Sequence, residues 1–344
     1  MSRPHPLPAA ELDEVIRLVG DWEPLRKARI FITGGTGFFG MWLLESLAHA
    51  NRAMDLDVRA TILTRDAVSF HSRAPHLQGE PFQWIEGDVR RFPFPDGHFS
   101  HVIHGATSTK AGPYGLHPKE MLDTIIAGTQ RVLDFAVGAG AKRMLYLSSG
   151  AVYGAQPTDL KNVPENYPGA PDPLDGHSVY GQGKRLAEHL CALQQEQHGI
   201  EIPIARGFAF VGPHLPLDSH FAIGNFIGDA LAGRPIHIAG DGTPFRSYLY
   251  ASDLAAWLWS MLLRGQGGRA YNLGSDEDLT ILDLANRTAQ PRHLEIVQAK
   301  EAQLGAPASR YVPSIVRAQQ ELGLKVSVPL DEAIDRTLRW HQAH

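Results

Sequence analysis

Tyr180 and Lys184 stand four residues apart in a stretch with helical patterning, so their side chains share one helix face. A lysine beside a tyrosine stabilises the phenolate and lowers the tyrosine pKa, which makes the tyrosine a usable general base near neutrality. Ser149 follows an apolar run, Met144–Ser148, that reads as a buried strand. Its hydroxyl can hold the same substrate oxygen that the tyrosine deprotonates. This is equipment for oxidising an alcohol, with the proton going to Tyr180 and a hydride to an acceptor. A Tyr-x-x-x-Lys pair alone is common on solvated helix surfaces. Its weight here comes from following a strand-end Ser-Ser and, further upstream, a glycine loop.

That loop would supply the hydride acceptor. The apolar run Ala28–Thr33 passes directly into Gly34-Gly35-Thr36-Gly37-Phe38-Phe39-Gly40, and a helical pattern follows. Glycines 34, 37 and 40 serve a tight turn, close approach of backbone to a pyrophosphate, and close helix–strand packing. The first N–H groups of the helix then attract phosphate oxygens. A phosphate loop of the other main type would end in Gly-Lys-Ser/Thr, and its absence argues against NTP hydrolysis. The second strand ends Leu63-Thr64-Arg65-Asp66. An acidic residue there favours NAD and an arginine favours NADP, so the choice stays open.

These residues need a scaffold, and the chain alternates strands with helices to provide one. Buried strands are predicted at Ala28–Thr33, Val58–Thr64, Phe82–Glu86, His101–His104, Met144–Ser148 and Pro203–Phe208. Helices are predicted at Met41–Ala50, Met121–Val137 and Gly181–Gln195. Continuous apolar strands alternating with helices imply an α/β fold, a Rossmann-type doubly wound parallel sheet. Residues 1–27 read as an N-terminal extension with loose prolines followed by a short amphipathic helix (Leu12, Val15, Ile16, Val19, Trp22). Residues 28–210 read as the dinucleotide-binding domain, with 236–263 returning to it. Residues 211–235 and 264–344 read as a smaller interleaved α/β lobe that binds substrate. Helices are expected in that lobe at Ile281–Thr288, Ser314–Leu322 and Leu330–Trp340.

The net charge is -5, from 32 basic and 37 acidic side chains, which gives no electrostatic footprint for nucleic acid. The single cysteine, Cys191, forms no internal disulfide and reads as a small buried helix residue. No apolar run is long enough to span a bilayer and no signal peptide is visible, so a cytoplasmic enzyme is expected. His98, His101 and His104 stand three apart, but no matching cysteine or His-Glu cluster accompanies them, and a metal is not expected.

The motifs taken in order resemble the extended short-chain dehydrogenase/reductases. Within these they resemble the NAD-dependent epimerase/dehydratase family of nucleotide-sugar enzymes. The resemblance rests on the glycine loop, Gly87-Asp88-Val89, Val102-Ile103-His104-Gly105-Ala106, Ser148-Ser149-x-x-Val-Tyr-Gly and Tyr180-x-x-x-Lys184. Arg206-Gly-Phe-Ala-Phe-Val-Gly-Pro213, Gly240-Asp-Gly-Thr-Pro-Phe-Arg246, Tyr271-Asn-Leu-Gly and Arg310-Tyr-Val-Pro-Ser extend it. The resemblance implies that Ser149, Tyr180 and Lys184 are catalytic and that Lys184 also holds the nicotinamide ribose. It implies that Thr36 to Phe39 meet the pyrophosphate, that Asp88 and Val89 meet the adenine, and that His104 and Ala106 line the cofactor. Asn225, Arg246 and Arg310 would grip the substrate's nucleotide diphosphate, a task suited to bidentate guanidinium groups. A homodimer is also implied.

The departures bear on the reaction. Dehydratases of the family carry an acid pair where this chain has Gly150 and Ala151, and UDP-glucuronate decarboxylases carry a glutamate where Ala151 stands. Yet Tyr180-Gly-Gln-Gly-Lys-Arg185 and Gly224-Asn225-Phe226-Ile227 resemble the decarboxylase branch. Ala209 and Ile125 stand where the family has asparagines. The leading expectation is C4 epimerisation of a UDP-sugar or UDP-uronate through a 4-keto intermediate, with tightly bound NAD. The alternatives are NADPH-dependent reduction of a 4-keto sugar, UDP-glucuronate decarboxylation, and a dinucleotide-sensing protein without turnover.

Overall fold

The computed structural model describes residues 5–79, 81–107, 117–219, 221–303 and 307–343. The chain enters through helix α1 (Ala9–Val19) and then alternates as expected. The series runs β1 (Arg29–Thr33), α2 (Phe38–Met54), β2 (Arg59–Thr64), α3 (Ala67–Arg73), β3 (Phe82–Glu86), β4 (His101–His104), α4 (Pro118–Gly138), β5 (Arg143–Ser149), α5 (Val179–His198) and β6 (Ile204–Gly207). Short elements follow: β7 (Phe210–Val211), α6 (Ala222–Leu231), β8 (Ile236–Ile238), β9 (Phe245–Arg246) and β10 (Leu249–Tyr250). The long buried helix α7 (Ala251–Arg264) leads to β11 (Ala270–Leu273), β12 (Leu279–Thr280) and α8 (Ile281–Ala289). The chain closes with β13 (Ile296–Gln298), β14 (Arg310–Tyr311), α9 (Val316–Leu322) and α10 (Leu330–Gln342).

Seven parallel strands form one sheet in the order β11-β6-β5-β4-β1-β2-β3. Strands β1 and β4 are neighbours although their connections leave in opposite directions. A crevice therefore opens beyond their carboxyl ends, the usual ligand position in such sheets. The glycine loop leaves β1 at that point. Ser149 ends β5 two strands away, on the same edge.

The lobe is divided differently from the expectation. Strand β8 pairs with β13 outside the central sheet, while β11, expected in the lobe, is the edge strand of that sheet. Three residues of β8 carry too little pattern to assign a partner from sequence. The N-terminal prolines are not loose from residue 5 onward. Leu7 is buried, and its N–H donates to Oε2 of Glu45, a carboxylate that is itself 4% exposed, at 2.6 Å. Helix α1 packs on α7, with Trp22 against Trp259 at 5.4 Å between ring centroids.

Candidate active site

One cavity of about 940 Å³ lies over the carboxyl ends of the strands. Gly34, Thr36, Gly37, Phe38, Phe39, Gly40, Arg65, Asp88, Val89, Ala106, Ser149, Tyr180 and Lys184 all line it. These positions come from six separate stretches of chain, and the fold brings them to a single wall. His104 does not reach that wall. It lies beneath the floor, 2% exposed, with Nδ1 2.7 Å from Thr33 Oγ1 and Nε2 3.1 Å from Thr129 Oγ1. Burial drives its pKa down to about 3, with the Lys184 charge adding to the effect. It is a neutral tie between β1, β4 and α4.

The glycine loop has the shape its spacing suggested. Gly34 adopts φ 79°, and a Cβ there would meet the Gly105 carbonyl carbon at 2.6 Å. At Gly40 a Cβ would lie 2.2 Å from the Gly35 backbone, so only hydrogen lets α2 start this close to β1. Helix α2 has Gly37 as its N-cap and no side-chain cap hydrogen bond, unlike α3 and α8, which Asp66 and Thr280 cap. The first N–H groups of α2 are thus left for an anion. The buried Thr107 hydroxyl, also without a partner, faces the same cavity. These features fit a dinucleotide, whose pyrophosphate the α2 N-terminus and Thr36 to Phe39 would hold.

At the far end of the cavity, Ser149 caps a 3-10 turn and accepts from the Ala151 N–H at 3.2 Å. Lys184 is 2% exposed and donates to the Leu147 carbonyl at 2.6 Å, with Nζ 5.9 Å from the Tyr180 ring centre. The expected lowering of the tyrosine pKa by this lysine is not what the structure gives. Burial holds the Tyr180 hydroxyl well above its ordinary value, the neighbouring Tyr311 adds to this, and only the Ser149 hydroxyl opposes it. The lysine is aimed at a carbonyl, and its own charge is desolvated.

Burial pulls the Lys184 pKa from 10.5 down to about 8, against the nearby Glu188 carboxylate. The unfolded chain keeps that proton to higher pH, so between those values stability rises with pH. The full gain is about 3 kcal/mol. Lys184→Met should lose this rise, and thermal melts of both proteins from pH 7.5 to 10.5 test it. Parallel slopes would mean that Lys184 is not a desolvated cation.

Tyr311 is the site residue that sequence reasoning missed. Its hydroxyl lies 3.4 Å from Ser149 Oγ and donates to the Gly207 carbonyl at 3.3 Å, and its ring packs on Phe208 at 4.6 Å. A Cβ on Gly150 would meet Phe208 at 2.7 Å and the Tyr311 hydroxyl at 2.8 Å. This aromatic wall occupies the room that a side chain at position 150 would need. Strand alternation pointed the other way: with Arg310 expected to face the ligand, its neighbour Tyr311 would face away, and the structure reverses the two, placing Tyr311 and not Arg310 in the cavity wall.

The three residues expected to grip a diphosphate are not among those lining the cavity. Arg310 is spoken for. It forms an ion pair with Asp278, donates to the Lys161 carbonyl at 3.3 Å and covers the Phe245 ring at 4.3 Å. Arg246 donates to the Phe245 carbonyl at 2.7 Å and has no acidic partner among the described residues. Burial lowers its pKa, with Tyr248 and Tyr311 nearby. Asn225 sits half-buried on α6. Among the described residues no group of three His, Cys, Asp or Glu side chains could hold a metal, and no helix is long and apolar enough to cross a membrane.

Comparison with known proteins bears on this arrangement. The sequence profile of the NAD-dependent epimerase/dehydratase family matches residues 30–274. The chain is similar to UDP-glucuronic acid decarboxylase 1 of Danio rerio, 30% identical over 92% of this chain and 75% of that one. It is also similar to UDP-glucuronic acid decarboxylase 5 of Arabidopsis thaliana, 31% identical over 89% and 87%. Among solved structures, a variant of UDP-glucuronic acid 4-epimerase from Bacillus cereus, in complex with NAD, shares the fold. It has a TM-score of 0.76, with 22% identity over 92% of this chain and 100% of that one. A dTDP-glucose 4,6-dehydratase of Streptomyces venezuelae with NAD bound does so as well, at TM-score 0.75 and 23% identity over 92% and 97%.

Proposed function

This chain belongs to the NAD-dependent epimerase/dehydratase family, and on that premise we propose that it acts on a nucleotide-linked sugar, oxidising C4 and re-reducing the ketone to give the C4 epimer. One observation carries this reading. Ser149 and Tyr180 meet at the cavity end beside Gly150 and Ala151, walled by Phe208 and Tyr311, with no carboxylate among the lining residues there.

The bound dinucleotide supplies a hydride acceptor and, once reduced, a hydride donor. Tyr180 takes the proton of the C4 hydroxyl as the general base, and Ser149 Oγ holds that oxygen in line. Lys184, which lines the cavity and donates to the Leu147 carbonyl, would hold the nicotinamide ribose of the dinucleotide. Removal of water from the neighbouring carbons would need an acid and a base in the places of Gly150 and Ala151, and neither residue has one. The ketone is therefore left to be reduced again. Arg246, with no acidic partner among the described residues, is our candidate for the diphosphate. Arg310, paired with Asp278, would order the lobe around it.

A second reading, decarboxylation of a UDP-uronate, is favoured by the relatives at 30% and 31% identity. A β-keto acid formed at C4 can lose carbon dioxide with little acid–base help. Incubation with UDP-glucose, UDP-galactose, UDP-glucuronic acid and the dTDP-, CDP- and GDP-sugars, followed by mass and isomer analysis, tests both. A new isomer of unchanged mass is the expected result. Loss of carbon dioxide would replace it with the second reading, and loss of water would overturn both. Turnover that consumes added reduced cofactor would mean a reductase.

A further inference from the structure

We propose that the adenosine end of the cavity is built for a 2′-phosphorylated dinucleotide, so that this chain binds NADP(H) in preference to NAD(H). The inference rests on dinucleotide binding and is independent of which sugar is handled. Strand β2 ends on Thr64, a neutral residue, where an acidic side chain would hold the ribose 2′-hydroxyl. Beyond it, Arg65, Asp66, Ser69 and Arg73 line the cavity together.

The acids near this end are committed to other groups. Asp66 Oδ1 accepts from the Ser69 N–H at 2.7 Å as the N-cap of α3, and Glu86 Oε1 accepts from the Ala67 N–H at 3.0 Å. Asp88 is held by Arg90 at 2.6 Å, and Arg90 also pairs with Asp123 at 2.9 Å. The neighbouring guanidinium holds the Asp88 carboxyl down at about 2. Arg90 is therefore saturated. Arg65 and Arg73 are not. Both are exposed, and neither has a hydrogen bond or ion pair to an acid among the described residues, Arg73 being propped 5.7 Å over the Phe70 ring.

Two unpaired guanidinium groups and the Ser69 hydroxyl lie on the cavity rim, opposed by one carboxylate already used as a helix cap. That set matches a phosphate dianion, which two planar forks and a hydroxyl can bind through several charge-assisted bonds. A bare 2′-hydroxyl has no charge to answer the arginines.

The test is binding, not turnover. The dinucleotide that co-purifies with the protein is released and identified by mass. NADPH, NADH, 2′,5′-ADP and 5′-AMP are then titrated at fixed ionic strength. We expect NADPH and 2′,5′-ADP to bind at least about tenfold more tightly than their counterparts, a gap of about 1.4 kcal/mol that narrows with salt. Arg65→Glu should erase the gap while leaving NADH affinity within about threefold, and Arg73→Ala should narrow it. Equal or tighter binding of NADH, co-purified NAD, or an Arg65→Glu protein that loses both nucleotides equally would overturn the proposal. If neither nucleotide binds, dinucleotide binding itself falls and takes the proposal with it. If NADPH binds tightly but no sugar nucleotide reacts, the proposed function fails and this inference stands.

Discussion

Tyr180→Phe is expected to lower turnover by about 10³-fold, within the 10²–10⁴ range that a positioned general acid–base group contributes, while dinucleotide affinity and Tm stay within error. The substitution keeps the ring and removes the hydroxyl that would take the C4 proton. The ring packs against the buried core that includes Met121, Ile125 and Tyr146, so the phenylalanine should hold its place. The competing assignment is Tyr311, whose hydroxyl is also at Ser149, 3.4 Å from its Oγ. The pair of single variants separates them. If Tyr180→Phe keeps its rate and Tyr311→Phe loses it, the general base has been misassigned. Because burial holds the Tyr180 hydroxyl above its ordinary range, the neutral form predominates at neutral pH. The rate of the parent enzyme should therefore rise with pH, and Tyr180→Phe should abolish that rise.

Behind the serine lies a buried ion pair whose loss should have the largest effect on stability. Glu188 accepts from Arg206 Nε at 3.0 Å and Nη2 at 2.7 Å, and from the Ser148 hydroxyl. Arg206 also donates to the Tyr153 hydroxyl at 2.9 Å and to the Glu165 carbonyl at 3.2 Å, and Tyr153 passes the contact to Asn272 at 2.8 Å. The cluster joins β5, α5, β6 and β11. Its two charged side chains are 16% and 11% exposed. Removing one charge strands the other, so Arg206→Met or Glu188→Met should cost about 3–5 kcal/mol. That corresponds to a fall in Tm on the order of 10 °C. The double substitution should recover much of the loss, since an apolar pair leaves no buried charge. A double variant as unstable as either single would mean that the hydrogen bonds to Ser148 and Tyr153, not the charges, hold this corner.

Much of the fold was legible because parallel strands buried on both faces read as unbroken apolar runs. Six such runs predicted β1 to β6, with boundaries off by a residue or so. The seventh strand, β11, was not read as part of that sheet. Its four residues lie 63 positions after β6 ends, beyond the reach of any local pattern. The glycine loop was legible for a covalent reason. At Gly34 and Gly40 the backbone leaves no room for a Cβ, and that demand is written in residue type alone.

The remainder depended on long-range contacts. Which guanidinium is free is decided by where carboxylates end up: Asp278 takes Arg310, while Arg246 meets no acid among the described residues. His104 looked like a cavity residue by its place in a motif, but hydrogen bonds to Thr33 and Thr129 hold it below the floor. Tyr311 reaches Ser149 across 162 residues of chain.

Spacing along the chain determined that Tyr180 and Lys184 share a face, and residue order determined that a glycine loop and a strand-end serine precede them. Those are local facts, governed by helical pitch and by the absence of a side chain. The tertiary structure decided what surrounds them. It turned Lys184 toward the Leu147 carbonyl, raised the Tyr180 pKa by burial where its neighbour had been expected to lower it, and set Tyr311 over Gly150. Solvent exclusion and partner choice belong to the packed molecule, because both depend on groups that meet only when the sheet and the lobe close on each other.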